Sequence, residues 1–223
     1  MNETTASPRF LALGDSYTIG EGVAPHERWP DQLARRLRAQ RIDIADPVVL
    51  ARTGWTTGEL AAAMDTQVFD PPYALVTLLI GVNDQYRGGE VADYAGGFSV
   101  LLGRALALAG DEPARVVVLS IPDWGVTRFA RAGNRDARQV AIAIDAFNTA
   151  ASSRTQAAGA AFVDVTGLSR EAGDGDAMLV ADGLHPSAAQ YALWADAALP
   201  ACRRALAAGV ADAPRAGCPP VRT

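Results

Sequence analysis

The chain of 223 residues contains no lysine; all 20 of its basic residues are arginine. That excludes a P-loop lysine, a Schiff-base lysine and a Ser-Lys dyad. Basic runs are missing as well. The balance of 20 basic against 25 acidic residues leaves a formal charge of −5, so no nucleic-acid partner is expected. No run approaches the ~18 continuous apolar residues that cross a bilayer, so no stable membrane insertion is expected. The start, Met1 to Phe10, is polar and lacks an apolar core followed by a small-residue cleavage site. It does not read as a secretory signal, and a cytoplasmic location is the expectation, with a removed leader left open. Only Cys202 and Cys218 are available as thiols, which is too few for a disulfide framework; they read as two free thiols or one optional tail clip. Two histidines and no Cys-x-x-Cys pair offer no metal site, and Asp174-Gly175-Asp176 lacks the remaining ligands of a calcium loop. Neither metal nor cofactor is expected.

Apolar residues, at 49%, suffice for a substantial core and exclude a disordered chain. The expectation is one domain over residues 1–210, with a tail over 211–223 outside the core because of Pro214, Pro219 and Pro220. Five short apolar runs recur: Arg9 to Leu13, Pro47 to Ala51, Ala74 to Ile80, Arg115 to Ile121 and Ala161 to Val165. They are continuous rather than alternating, which predicts strands covered on both faces. Helical patterns separate them. Pro30 to Gln40 carries Leu33 and Leu37 four apart, and Thr56-x-x-Glu59 is a capping box opening a helix through Met64. Asp93 to Ala109, Arg138 to Ala158 and Pro186 to Ala208 are longer, alanine-rich and amphipathic. Strict β-α alternation predicts a parallel sheet with helices on both faces. Ligands of such a sheet bind at the carboxyl ends of its strands.

Four loops there hold unusual residues. Gly14-Asp15-Ser16-Tyr17-Thr18 puts a serine two residues past a strand, as a nucleophile aimed into a crevice or as the N-cap of a tight turn. It is not the GxSxG elbow, because Thr18 occupies the second glycine position. Gly54, after the second strand, lets backbone approach a ligand or simply makes a turn. Gly81-Val82-Asn83-Asp84 offers the Asn83 amide to a developing oxyanion, or an Asx turn. Asp182-Gly183-Leu184-His185-Pro186 sets a carboxylate three residues before a histidine, where it can orient the ring or cap a helix start. The other histidine, His26, reads as a surface residue.

Together and in this order, the four blocks resemble the GDSL/SGNH hydrolases over Phe10 to about Ala208. The resemblance implies a flavodoxin-like three-layer α/β/α sandwich with a parallel five-stranded sheet of order 2-1-3-4-5. It implies Ser16 as nucleophile, His185 as general base and Asp182 as the acid that orients it. The oxyanion hole would be the Ser16 N–H, the Gly54 N–H and the Asn83 side-chain amide. Tyr17 stands where many members carry leucine. Ser187, two residues past His185, is the competing serine.

Tyr17, Trp55, Tyr86, Trp124 and Phe129 each lie within a few residues of a strand end and are the candidate substrate pocket, with Ile121 to Phe129 as a specificity wall. Arg128 and Arg131 could meet an anionic head group or be solvated. The expected function is a serine hydrolase for carboxylic esters of small to medium acyl groups, lysophospholipid-like or thioester substrates included. A carbohydrate O-acetylesterase is the alternative, and a non-catalytic ligand-binding domain on this fold the alternative from another class. The partner is a small-molecule ester; nothing in the sequence speaks to oligomeric state.

Overall fold

Apolar runs too short for a helix and too continuous for an amphipathic strand become the buried centre of a parallel sheet. In the computed structural model, which describes residues 6–211, the elements in chain order are β1 (Phe10–Gly14), α1 (Ser16–Ile19), α2 (Trp29–Ala39), β2 (Val48–Ala51), α3 (Thr57–Thr66), β3 (Leu75–Leu79), α4 (Val82–Tyr86), α5 (Val91–Leu108), β4 (Val116–Leu119), α6 (Arg128–Ala132), α7 (Ala137–Ala157), β5 (Ala161–Val163), α8 (Thr166–Ala172) and α9 (Ala188–Ala211). The strands form one parallel sheet in the order β2-β1-β3-β4-β5. Leu11 pairs with Val48 on one side and Val76 on the other, Leu78 with Val118, and Val118 with Phe162. This is the expected three-layer, doubly wound topology.

The layers follow from helix periodicity. Trp29, Leu33 and Leu37 on α2, with Tyr191, Trp194, Ala198, Cys202 and Ala205 on α9, recur every three or four residues and are buried. Those stripes meet, because α2 packs on α9 while α9 touches β3, β4 and β5. Burying a large apolar side chain of this kind stabilises by about 1.5–3 kcal/mol. On the opposite face α5 packs against β3 and between α3 and α7. Among the described residues α5 is the one helix long and apolar enough to cross a membrane by length and composition; here its Arg104 donates to Asp65 and to the Ala61 carbonyl on α3.

Some expectations change. Only β1, β3 and β4 are buried throughout; β2 and β5, at the sheet edges, are partly exposed, because an edge strand has no neighbour on one side. The last helix begins at Ala188 rather than Pro186. Pro186 instead forms an isolated antiparallel bridge with Leu179, and the Ser187 N–H donates to the Met178 carbonyl. Ala211, expected to open the tail, closes α9; the rest of the tail, with Cys218, lies outside the described residues. Cys202 is buried and its thiol is pushed up to about 12 by that burial.

Candidate active site

All four singled-out loops converge at the carboxyl end of the sheet. At the end of β1, Gly14 is sterically required: a Cβ there would sit 2.2 Å from Thr18 Oγ1 and 2.5 Å from the Leu79 carbonyl. The chain turns at once into α1, whose N-cap is Asp15. Its Oδ1 accepts from the Tyr17 N–H at 3.0 Å, and its carbonyl accepts from Thr18 and Ile19 N–H. Ser16 is therefore the first helical residue and not the cap; the cap role allowed for it from sequence belongs to Asp15. Burial, reinforced by the charge of Asp84, pushes the Asp15 carboxyl up to about 8. The shift favours the neutral carboxyl beside Ser16.

After β2, Gly54 has φ +86°, a left-handed backbone that suits glycine. Its carbonyl accepts from Arg87 Nη2 at 2.6 Å, and Arg87 Nη1 lies 3.2 Å from Glu59. Glu59 in turn closes the expected capping box with Thr56. The N–H groups of Ser16 and Gly54 take no backbone partner among the described residues. After β3, Asn83 Nδ2 donates to the Trp55 carbonyl at 2.9 Å. That bond fixes the amide plane and leaves its second N–H for an oxyanion. Asp84 does not close an Asx turn. It accepts from the Thr57 hydroxyl at 2.6 Å and the Thr57 N–H at 3.0 Å, which ties the Asn83 loop to the start of α3. Burial raises the Asp84 carboxyl above its ordinary value despite these bonds.

Before α9, Asp182 Oδ2 lies 2.6 Å from His185 Nδ1, and Oδ1 accepts from the N–H groups of Leu184 and His185. The bridge of Leu179 to Pro186 holds this turn from below. Burial works to raise Asp182, but the His185 ring and the two backbone N–H groups outweigh it and hold the carboxyl below its usual range. An ionised Asp182 favours the Nδ1–H tautomer and frees Nε2 as an acceptor. His185 is buried, with Tyr17 packed against it at 5.7 Å between ring centroids. By contrast, His26 is exposed in a short 3₁₀ turn.

Ser16, Gly54, Asn83 and His185 line one cavity of about 170 Å³, walled by Tyr17, Val82, Tyr86, Trp124, Phe129 and Leu184. Ser16 and His185 share it without a direct hydrogen bond, a contact that in such sites often forms only around substrate. Trp55 is the exception among the five aromatics. It packs against the core and serves the site through its carbonyl, because its backbone is needed to hold Asn83. Ser187 donates to the Ala177 carbonyl at 2.6 Å and accepts from the Ala189 N–H, so it shapes the α9 start. Arg128 and Arg131 pair with Asp176 and Asp174, which consumes the charge they would offer a head group. A larger cavity of about 750 Å³, lined by Pro8, Arg9, Ala74 and Arg115, lies at the amino ends of the strands and contains none of the four blocks.

The positioning roles of Arg87 and Asp84 were not visible in sequence, although Asp84 stood inside a quoted block. Their partners, the Gly54 carbonyl and Thr57, are 33 and 27 residues away, and nothing in local patterning links them.

The GDSL-like Lipase/Acylhydrolase family model matches residues 12–193. The chain belongs to this family. As a GDSL hydrolase it shares its fold with solved structures at low identity. TesA is 22% identical with a TM-score of 0.70, covering 89% of this chain and 99% of that one. A lipase/acylhydrolase from Enterococcus faecalis is 22% identical with a TM-score of 0.66, covering 86% and 94%. A mutant of an acetyl-xylooligosaccharide esterase from Geobacillus Stearmophilus is 18% identical with a TM-score of 0.66, covering 87% and 94%. No curated protein sequence matches the chain.

Proposed function

We propose that this GDSL hydrolase cleaves carboxylic esters of small to medium acyl groups through an acyl-enzyme on Ser16. The observation that carries the reading is the oriented His185–Asp182 pair opening onto the same cavity as Ser16 and the Gly54 and Asn83 donors. His185 Nε2 takes the Ser16 proton as Oγ attacks the ester carbonyl. The oxyanion accepts from the Ser16 N–H, the Gly54 N–H and the free Asn83 amide N–H. His185 then protonates the leaving alcohol, and water repeats the sequence on the acyl-enzyme.

The cavity, at about 170 Å³, is smaller than the roughly 300–1,000 Å³ of drug-sized pockets, which favours short acyl groups. Its apolar walls suit an alkyl or aryl portion. A carbohydrate O-acetylesterase is the second reading, favoured by the partly exposed Tyr86 and Phe129 at the rim, which could stack on a sugar. A panel of chromogenic acyl esters of graded length, run beside acetylated xylan, separates the two. The expected outcome is a maximum of kcat/KM at short acyl chains and at least an about tenfold fall for long ones. A long-chain maximum would contradict the small-acyl reading, and faster release of acetate from xylan would favour the second.

Asn83→Ala should lower kcat by about 10²–10³ while KM changes little, because the amide acts where charge develops. Circular dichroism and kinetics of the variant check this. A loss confined to KM would remove Asn83 from the oxyanion hole.

A further inference from the structure

With Arg128 and Arg131 neutralised, a cation that packs on two walls of the cavity without a carboxylate partner is one that the sequence did not single out. Arg135 makes no ion pair among the described residues, whereas Arg87, Arg128, Arg131 and Arg170 all do. Its guanidinium lies over two walls of the catalytic cavity, 5.3 Å from the Tyr86 ring centroid and 5.9 Å from that of Trp124. Those two rings also line a second cavity, of about 290 Å³, together with Arg135, Gln85, Gly88, Asp136 and Gln139. Tyr86 and Trp124 line both cavities, which sets the second cavity directly beside the one that holds Ser16.

We propose that this second cavity is a subsite for an anionic group carried by the ester substrate, with Arg135 as its cation. The inference rests on the ester-hydrolase reading of Ser16 and His185. The chemistry of the lining supports a negatively charged guest. Gln85 Oε1 accepts from Trp124 Nε1 at 2.8 Å, which leaves its amide N–H groups for a ligand. At Gly88 an added Cβ would meet nothing within 4 Å, so the floor there is open. Asp136 is the one acid present, and its Oδ1 is occupied by the N–H groups of Arg138 and Gln139 at the start of α7. The helix N-terminus that it caps offsets its charge, and Arg135 is left unneutralised.

The test compares matched esters that differ only in charge. On the acyl side, 4-nitrophenyl monoadipate is set against its primary amide; on the alcohol side, 4-acetoxybutyrate against 4-acetoxybutyramide. The ratio of kcat/KM, anionic over neutral, is measured for the wild type, Arg135→Gln, Arg135→Glu and Arg135→Lys. At least one pair should favour the anion in the wild type. The ratio for that pair should fall about threefold in Arg135→Gln and about tenfold in Arg135→Glu, and recover in Arg135→Lys. Salt should shrink the wild-type preference, because the guanidinium is exposed. The responding pair tells whether the charge belongs to the acyl group or to the alcohol. Ratios that Arg135→Glu leaves unchanged would overturn the subsite. Failure to cleave any of the four esters would instead overturn the ester-hydrolase reading. Calorimetric titration with phenyl phosphate then decides the subsite independently: weaker binding to Arg135→Glu than to wild type supports it, and equal binding refutes it.

Discussion

Ser16→Ala should reduce ester turnover on the order of 10⁶-fold with the fold intact. The size of the effect follows from the proposed role of Oγ in forming the acyl bond; the other aliphatic hydroxyl lining the cavity, Thr53, donates to Glu21. The intact fold follows from packing: α1 is held by the Asp15 cap and the close contacts at Gly14, neither of which uses the Ser16 hydroxyl. Ser187 cannot stand in, since its hydroxyl is bonded to the Ala177 carbonyl. Steady-state kinetics with circular dichroism checks the expectation. A variant retaining more than about a tenth of wild-type turnover would remove Ser16 from the mechanism.

His185→Ala should cost about as much as loss of the serine, because the two act as a unit, while Asp182→Asn should cost tens of times less. Asp182 does not carry the transferred proton. It holds the ring through the 2.6 Å contact to Nδ1, and an asparagine leaves the turn bonds to Leu184 and His185 within reach. The pH dependence separates the two residues. Because its hydrogen bonds keep Asp182 below the usual carboxylate range, it stays ionised as pH falls from about 9 to about 5. Asp182 therefore does not produce an acid limb of kcat/KM, whereas an imidazole that is itself protonated cannot accept the serine proton. Activity should fall on acidification, and His26→Ala should leave rate and profile almost unchanged, since that residue is exposed and does not line the cavity. An inactive His26→Ala beside an active His185→Ala would overturn the site.

Much of this arrangement was legible from the residues alone. Continuous apolar runs such as Leu75 to Leu79 announce strands buried on both faces, and with β-α alternation they lead to a parallel sheet. The residues brought to one cavity, Ser16, Gly54, Asn83 and His185, stood out because each lies next to a strand end or a helix start in local sequence. The short helices α1, α4, α6 and α8 were not, since four to seven residues contain too few turns for a 3.6-residue period to register. Trp55 read as a pocket wall because it follows a strand, yet proximity along the chain does not specify which way a side chain turns. The interloop ties of Arg87 to Gly54 and of Asp84 to Thr57 were hidden for a related reason: they join segments that meet only in the folded chain. Arg135 was hidden too. Its place over the Tyr86 and Trp124 rings, and the pairing of Arg128 with Asp176 and of Arg131 with Asp174, exist only in the folded chain.

The most direct test of the account is the site of covalent capture. A fluorophosphonate is attacked by an activated serine and forms a stable phosphonyl ester that can be mapped by peptide mass spectrometry. The account predicts a single adduct on the peptide containing Ser16, with loss of activity in step with labelling, and no adduct in Ser16→Ala or at a much reduced rate in His185→Ala. An adduct at Ser187 or Ser120, or full activity in protein whose Ser16 is quantitatively labelled, would contradict it.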